Sequence, residues 1–259
     1  MPDQPSILME KENGIGILTL NREAERNTFT LGFAALLNHL LKELDQDDDV
    51  KVVVIQAAGK HFSTGIALDE FQDKSPSELR KLIKRMDQHN HTIPRMRKPV
   101  IASVRGFAIA NGSGLVAAAD LAIASENAKF GTTAINVGLI CLGPAVPLSR
   151  IVSRKKLLEM VLAGDMIPAK EAERLGIVNQ VVPDDTLETA TMELAKKLAQ
   201  KSPLAIECGK QGIYGMSDLP YHQAVDYMGE MFAQLCATKD ATEGLQAFKE
   251  KREPQWNRE

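Results

Sequence analysis

Lys51-Val52-Val53-Val54-Ile55-Gln56 carries an apolar run with no polar alternation inside it. A strand that faces water on one side alternates, whereas one covered on both faces does not, so this stretch reads as a strand buried between two layers. Working outward, Ile15-Gly16-Ile17-Leu18-Thr19-Leu20 reads as an earlier strand. Between the two, Phe33, Leu36, Leu37, Leu40, Leu41 and Leu44 recur at helical spacing, and acidic Asp45 to Asp49 close that helix as a solvated turn. Downstream, Pro99-Val100-Ile101-Ala102-Ser103-Val104 is another strand with Pro99 at its edge, and Asp120-Leu121-Ala122-Ile123-Ala124 is a shorter one. Strands alternating with helices in this way define an α/β protein.

Beyond about Pro144 the strand signals fade. Pro168 opens a helix from Ala169 to Leu175 that Gly176 can stop in a left-handed cap. Asp185 with Glu188 predicts a capping box for a helix running to Gln200. Further helices follow Ser202-Pro203 and Leu219-Pro220, and a last one ends near Arg252. The division expected is a core over residues 1–200 and a helical region over 201–259, packed together without a flexible linker.

Composition narrows the function. The chain has 259 residues, 44% hydrophobic and 25% charged, with a net charge of −3. That balance suits a soluble globular protein and gives no electrostatic case for nucleic acid or an anionic membrane. Arg95, Arg97 and Lys98 form the one basic run, read as a solvated helix end. Cys141, Cys208 and Cys236 are widely spaced and fit neither a disulfide framework nor a zinc site, so no metal is expected. Met1-Pro2-Asp3-Gln4 lacks a leader pattern and no apolar stretch is long enough to span a bilayer, which makes a cytoplasmic location the default.

Two small-residue segments, each following a strand, carry the chemistry. One is Gly59-Lys60-His61-Phe62-Ser63-Thr64-Gly65-Ile66-Ala67-Leu68, the other Gly106-Phe107-Ala108-Ile109-Ala110-Asn111-Gly112-Ser113-Gly114-Leu115. Small residues let a ligand approach the main chain, and free N–H groups at a helix start can stabilise negative charge developing on an oxygen. Taken singly, each segment is also compatible with a tight turn and close helix packing.

The order Leu20-Asn21-Arg22, Asn27, Phe62-Ser63-Thr64-Gly65, Lys98-Pro99-Val100-Ile101-Ala102, Gly106-Phe107-Ala108, Asp120 and Phe130-Gly131 resembles the enoyl-CoA hydratase/isomerase (crotonase) superfamily. Leu162-Ala163-Gly164-Asp165, Leu175-Gly176-Ile177-Val178 and Phe248-Lys249-Glu250-Lys251-Arg252 extend the likeness along nearly the whole chain. The resemblance implies a spiral of ββα turns, a helical C-terminal trimerisation region, and a homotrimer or dimer of trimers. It implies an acyl-CoA or enoyl-CoA thioester as substrate, with coenzyme A part of that substrate and no permanently bound cofactor.

By the same resemblance, the thioester oxygen is held by the N–H groups of Ile66 and Asn111. Coenzyme A contacts fall on Ala24, Arg26, Thr64, Ala67, Leu68, Phe248 and Lys251, and the acyl pocket takes in Asn136, Cys141 and Leu142. Family hydratases use two glutamates as acid and base. Those positions match Gly114 and Ala134 here, and a third carboxylate position seen in some members matches Leu142. The surrounding Asn136-Val137-Gly138-Leu139-Ile140-Cys141-Leu142-Gly143-Pro144 resembles the subgroup of enoyl-CoA hydratase domain-containing protein 3. Three readings follow: a lyase, isomerase or hydrolase with another proton carrier, a non-catalytic acyl-CoA-binding homologue, or an enzyme whose substrate supplies its own acid or base. Ser113, Thr132, Thr133, Asn136 and Cys141 are the polar groups that can position a water or an anion. Asp69, Glu70 and His61 read as solvated surface, Asp120 and Asp165 as structural.

Overall fold

The computed structural model describes residues 5–258. The reading of Met1 to Gln4 therefore concerns residues outside those described. The chain begins with a hairpin of β1 (Ile7–Glu12) and β2 (Ile15–Leu20). It turns at Asn13 and Gly14, both at positive φ, as a two-residue Asn-Gly turn requires. Helix α1 (Leu31–Gln46) starts at Thr30, whose side chain accepts from the Phe33 N–H. Strand β3 (Val52–Ala57) then lies parallel to β2, with Leu18 opposite Ile55.

Helix α2 (Pro76–Met86) opens on a capping box between Ser75 and Glu78, and the short α3 (His89–Thr92) follows it. Next come β4 (Val100–Val104), β5 (Phe107–Ile109), α4 (Asn111–Ala118), β6 (Leu121–Ser125) and β7 (Lys129–Gly131). The sequel is α5 (Leu142–Leu148), α6 (Arg154–Ala163), β8 (Met166–Pro168), α7 (Ala169–Arg174), β9 (Gln180–Val182) and α8 (Leu187–Ala199). Three helices close the chain: α9 (Pro203–Met216), α10 (Tyr221–Cys236) and α11 (Lys239–Glu250).

The main sheet has the order β1-β2-β3-β4-β6-β9, parallel after the first hairpin, and β5-β7-β8 form a smaller second sheet. Successive strands of the two sheets are laid down in turn, which is the ββα spiral. The stretch at Val52 is indeed covered on both faces. Val53 and Ile55 pack into the large core with Phe33, Leu37 and Leu41 of α1, while Val52 and Val54 face Ala195 and its neighbours on α8.

Three expectations need correction, and one strand escaped the sequence. Strand signals fade after Pro144, yet β8 and β9 lie there. Each is three residues long, too short to show a period. The Asp185–Glu188 capping box does not form, because Asp184–Thr186 makes a 3-10 turn and α8 starts at Leu187 without a side-chain cap. Lys98 is buried rather than solvated, and its Nζ donates to the carbonyls of Leu44 and Asp47 at the end of α1. A cation there meets the negative end of the helix dipole and its unpaired carbonyls. Finally, β1 was not legible as a strand, since Glu10, Lys11 and Glu12 give it the charged composition of a sheet edge.

The readings of Gly176 and Asp120 hold. Gly176 ends α7 at φ +80. Asp120 is structural: its carboxylate accepts from the Val100 N–H at 2.7 Å, from Lys210 Nζ at 2.7 Å and from the Tyr214 hydroxyl at 3.0 Å. Lys210 Nζ also donates to the Lys98 carbonyl at 2.8 Å, so α9 is tied directly to the sheet. Trp256 anchors the C-terminal segment, donating from Nε1 to the Gln200 carbonyl at 2.8 Å.

Candidate functional site

The two small-residue segments come together at the end of the smaller sheet. Ser63 N–H donates to the Phe107 carbonyl at 3.0 Å, and Ile109 N–H donates back to the Ser63 carbonyl at 3.0 Å. Gly112 makes this approach possible, since a Cβ there would lie 2.4 Å from the Ser63 carbonyl oxygen. Asn27, fully buried, braces the first segment from behind. Its amide donates to the carbonyls of Ala58 and His61, and its own carbonyl accepts from the Ser63 hydroxyl at 2.8 Å.

At this junction the main chain turns sharply. Ala110, between β5 and α4, has φ 49 and ψ −121, a conformation that costs a non-glycine residue on the order of 1–3 kcal/mol. Gly65, opposite, has φ +93, and a Cβ there would lie 2.7 Å from the Ala110 methyl and 3.5 Å from the Asn111 nitrogen. The result is two backbone N–H groups, of Ile66 and Asn111, with no acceptor in the chain among the described residues. Both residues line the same cavity, and Asn111 is the first residue of α4, at the positive end of its dipole. Two such donors can hold an oxygen that gains negative charge.

The strain at Ala110 makes a prediction. Ala110→Gly relieves it at an unfolded-state entropy cost of about 0.4–1 kcal/mol, so a net gain of ~1 kcal/mol is expected. The urea midpoint should rise with the slope unchanged; a lower midpoint would contradict the reading of strain.

The cavity holds about 1050 Å³ and is mostly apolar. Ala24, Arg26, Thr64, Ala67 and Leu68, the positions that the resemblance assigns to coenzyme A, are among its lining residues, and so are Cys141 and Leu142. Ala134 lines it too, but Gly114 does not: a Cβ on Gly114 would lie 3.1 Å from Pro144, which seats α5 directly on α4. A long side chain at 114 therefore requires α5 to move.

Three predicted site residues lie elsewhere. Asn136 is exposed and its amide donates to the Gly164 carbonyl at 3.3 Å, outside the acyl pocket. Phe248 is 85% exposed at the end of α11, and Lys251 is that helix's C-cap in the left-handed conformation, so neither lines the cavity of its own chain.

The polar candidates also sort themselves. Ser113 Oγ donates to the Ala108 carbonyl at 2.6 Å and accepts from the Gly131 N–H at 3.1 Å, which makes it a strut between β5, β7 and α4. Thr132 is buried with its hydroxyl unpartnered and lies outside the cavity, while Thr133 lines it. Burial pushes the Cys141 thiol up, so it is protonated near neutrality. His61 is not the solvated loop histidine expected. It stacks on Phe107 at 4.5 Å and its Nδ1 accepts from the Phe107 N–H, with burial holding its pKa down. Glu70 is half-buried and accepts from the Leu31 N–H at 2.9 Å, whereas Asp69 is exposed as read.

Asp87 is a cavity residue that the sequence did not single out. Asp87 lines the cavity at the end of α2, and the Asn111 side-chain amide donates to its Oδ1 at 3.4 Å. Its one sequence signal is weak: an acid following Lys84 and Arg85 at a helix C-terminus, where the dipole disfavours it. Among the described residues no group of three His, Cys, Asp or Glu is placed to hold a metal, and no helix is long and apolar enough to cross a membrane.

An α/β spiral with two unpaired backbone N–H groups on residues of one apolar cavity defines a class of fold, and comparison with known proteins identifies which. The family model for enoyl-CoA hydratase/isomerase matches residues 10–259. The chain is 34% identical to mouse (Mus musculus) enoyl-CoA hydratase domain-containing protein 3, mitochondrial, over 95% of its own length and 83% of that protein's. The crystal structure of an enoyl-CoA hydratase from Mycobacterium smegmatis superposes with a TM-score of 0.94 at 36% identity, covering 98% of this chain and 99% of that one. Human enoyl-CoA hydratase domain-containing protein 3 superposes with a TM-score of 0.94 at 32% identity, covering 97% and 100%. This chain belongs to the enoyl-CoA hydratase/isomerase (crotonase) superfamily, in the subgroup of enoyl-CoA hydratase domain-containing protein 3.

Proposed function

We propose that the protein is an enzyme acting on an acyl-CoA or enoyl-CoA thioester, whose carbonyl oxygen accepts from the N–H groups of Ile66 and Asn111. The observation that carries this reading is that both N–H groups lack an acceptor among the described residues and both belong to residues of one cavity. Charge that develops on the thioester oxygen is then met by donors already in place, and one such donor typically contributes about 2.7–4 kcal/mol. Ala24, Arg26, Thr64, Ala67 and Leu68 supply a path for coenzyme A along one part of the cavity. The acyl chain lies against Ala134, Cys141 and Leu142. Neither Gly114 nor Ala134 is ionisable, so the reaction does not run on a two-glutamate pair at those positions.

That same substitution favours a second reading, a homologue that binds acyl-CoA without turning it over. A panel of enoyl-, hydroxyacyl- and saturated acyl-CoAs, followed by calorimetry and by product analysis, separates the two. Binding with turnover on one member supports the enzyme, and binding without turnover on any supports the second reading. No affinity for any CoA ester would sink both.

A homotrimer or dimer of trimers is part of the proposal. Ile213 on α9 and Tyr221, Val225 and Phe232 on α10 are exposed in the single chain, which suits helices that pack against another copy. A monomeric mass by light scattering would count against it. The location is proposed as cytoplasmic; the mouse relative is named as mitochondrial, and fractionation distinguishes the two.

A further inference from the structure

We propose that Asp87 carries the proton in this reaction, taking it from the carbon next to the thioester carbonyl and returning it to the substrate. The proposal rests on the acyl-CoA reading above and supplies the group that reading lacks. Asp87 is the C-cap of α2, its N–H held by the carbonyls of Ile83 and Arg85, so the main chain that presents its side chain is fixed by the helix. Asp87 and Asn111 line the same cavity, and Asp87 Oδ1 lies 3.4 Å from the Asn111 side-chain amide.

The first turn of α5 closes on the same carboxylate. A methyl group on Gly143 would lie 2.3 Å from Asp87 Oδ1 and 2.4 Å from Oδ2, so a side chain there would displace the carboxylate from its present place. The next residue, Pro144, is the one seated on Gly114. The turn of helix that takes the space a side chain at 114 would need is therefore the turn that meets Asp87. An acid at one position and the absence of one at the other belong to a single packing arrangement.

The electrical surroundings suit a base. No Lys or Arg among the described residues pairs with Asp87, and burial raises its carboxyl above the usual range, with the Asn111 amide offsetting this only in part. The C-terminal dipole of α2 acts in the same direction as burial. The groups facing it are His91 on α3, which lowers it by its charge, and the Cys141 thiol at the start of α5, itself pushed up by burial. Glu25, the other cavity-lining carboxylate, sits on an exposed 3-10 turn beside Arg26. A carboxylate whose pKa is lifted toward the working pH is a better proton acceptor.

The step balances within the substrate and one side chain. The C–H bond at the α carbon breaks, its electron pair shifts into the bond to the carbonyl carbon, and the carbonyl π pair moves to the oxygen held by Ile66 and Asn111. The proton goes to an Asp87 oxygen. Return to the same carbon exchanges hydrogen. Return to the γ carbon of a 3-enoyl thioester moves the double bond to the 2 position, and neither route needs water, oxidant or cofactor. A single carboxylate that gives back the proton it takes thus points to enolisable acyl-CoA thioesters, 3-enoyl ones above all.

The test is solvent deuterium incorporation at the α carbon of a bound acyl-CoA, followed by mass spectrometry. Wild type is expected to exchange. Asp87→Asn, nearly isosteric, should lower the rate by about 10²–10⁴-fold while acyl-CoA affinity stays within about threefold. In wild type the rate should fall as pH drops through a pKa above the ordinary Asp value, and that acid limb should vanish in Asp87→Asn, which excludes His91 as its source. Asp87→Glu should keep part of the rate, and thermal melts check that both variants fold. Exchange by Asp87→Asn at the wild-type rate overturns the proposal, as does wild type that binds acyl-CoA and exchanges nothing. Failure of wild type to bind any acyl-CoA overturns the functional reading beneath it.

Discussion

Gly65→Ala is expected to lower kcat/KM on an accepted acyl-CoA by about 10²–10³-fold, the loss typical of one oxyanion donor. The reason is space. A methyl group at 65 would lie 2.7 Å from the Ala110 Cβ and 3.5 Å from the Asn111 nitrogen. Either it pushes Ala110 away, which turns the Asn111 N–H off its line, or it stays and crowds the place in front of that N–H. The backbone adds to this, because φ +93 is a conformation alanine rarely adopts. The Gly65 carbonyl accepts from the Phe29 N–H at 2.8 Å, and that bond holds the segment while the cradle itself is spoiled. Steady-state kinetics read beside a thermal melt therefore separates a damaged site from a damaged fold. A folded Gly65→Ala protein with wild-type kcat/KM would show that the thioester oxygen is held elsewhere.

Lys210→Met should be the most damaging single change to stability outside the hydrophobic core, at about 3–5 kcal/mol. Burial raises the Asp120 carboxyl and lowers the Lys210 amine, and each supplies the charge that the other requires in the interior. Removing the amine leaves the buried Asp120 carboxyl without its counter-charge, with the Val100 N–H and the Tyr214 hydroxyl still bonded to it. It also releases the Lys98 carbonyl and so the tie between α9 and the sheet. For a chain of this size the cost corresponds to a fall in Tm of roughly 6–20 °C. Asp120→Asn in the Lys210→Met background removes the orphaned charge and keeps an acceptor for Val100, so the double variant should recover part of the loss. If Lys210→Met melts within a degree of wild type, the pair does not fasten the helical region to the core.

What the sequence made legible was local. Val52 to Ile55 showed both of its covered faces because a buried parallel strand has no alternation to hide. The segments around Gly65 and Asn111 stood out because close approach of main chains demands small residues, which are visible as such. What remained hidden depends on residues far apart. Asp87 meets Asn111 across 24 positions and Lys210 meets Asp120 across 90, and no periodicity connects them. Lys98 looked like part of a solvated basic run because sequence gives its charge but not the helix end it plugs. Phe248 and Lys251 matched positions in a family pattern, yet the fold of one chain places them away from its cavity.

The same contrast separates the two halves of the chemistry. In the proposed function the carbonyl is held by backbone N–H groups, so that half is written in glycines and in the start of α4. Moving a proton needs a side chain with a shifted pKa. Here the candidate is delivered by the end of a different helix, beside a glycine of α5 that leaves it room.

The central claim is that a thioester oxygen is held by the N–H groups of Ile66 and Asn111. Difference infrared spectroscopy of an acyl-CoA carrying a 13C label in its carbonyl reads that interaction at the bond itself. Two donors that polarise the carbonyl should lower its stretching frequency on binding to wild type, and the shift should be lost in Gly65→Ala. A labelled thioester that binds wild type with the carbonyl frequency it has in water would contradict the account.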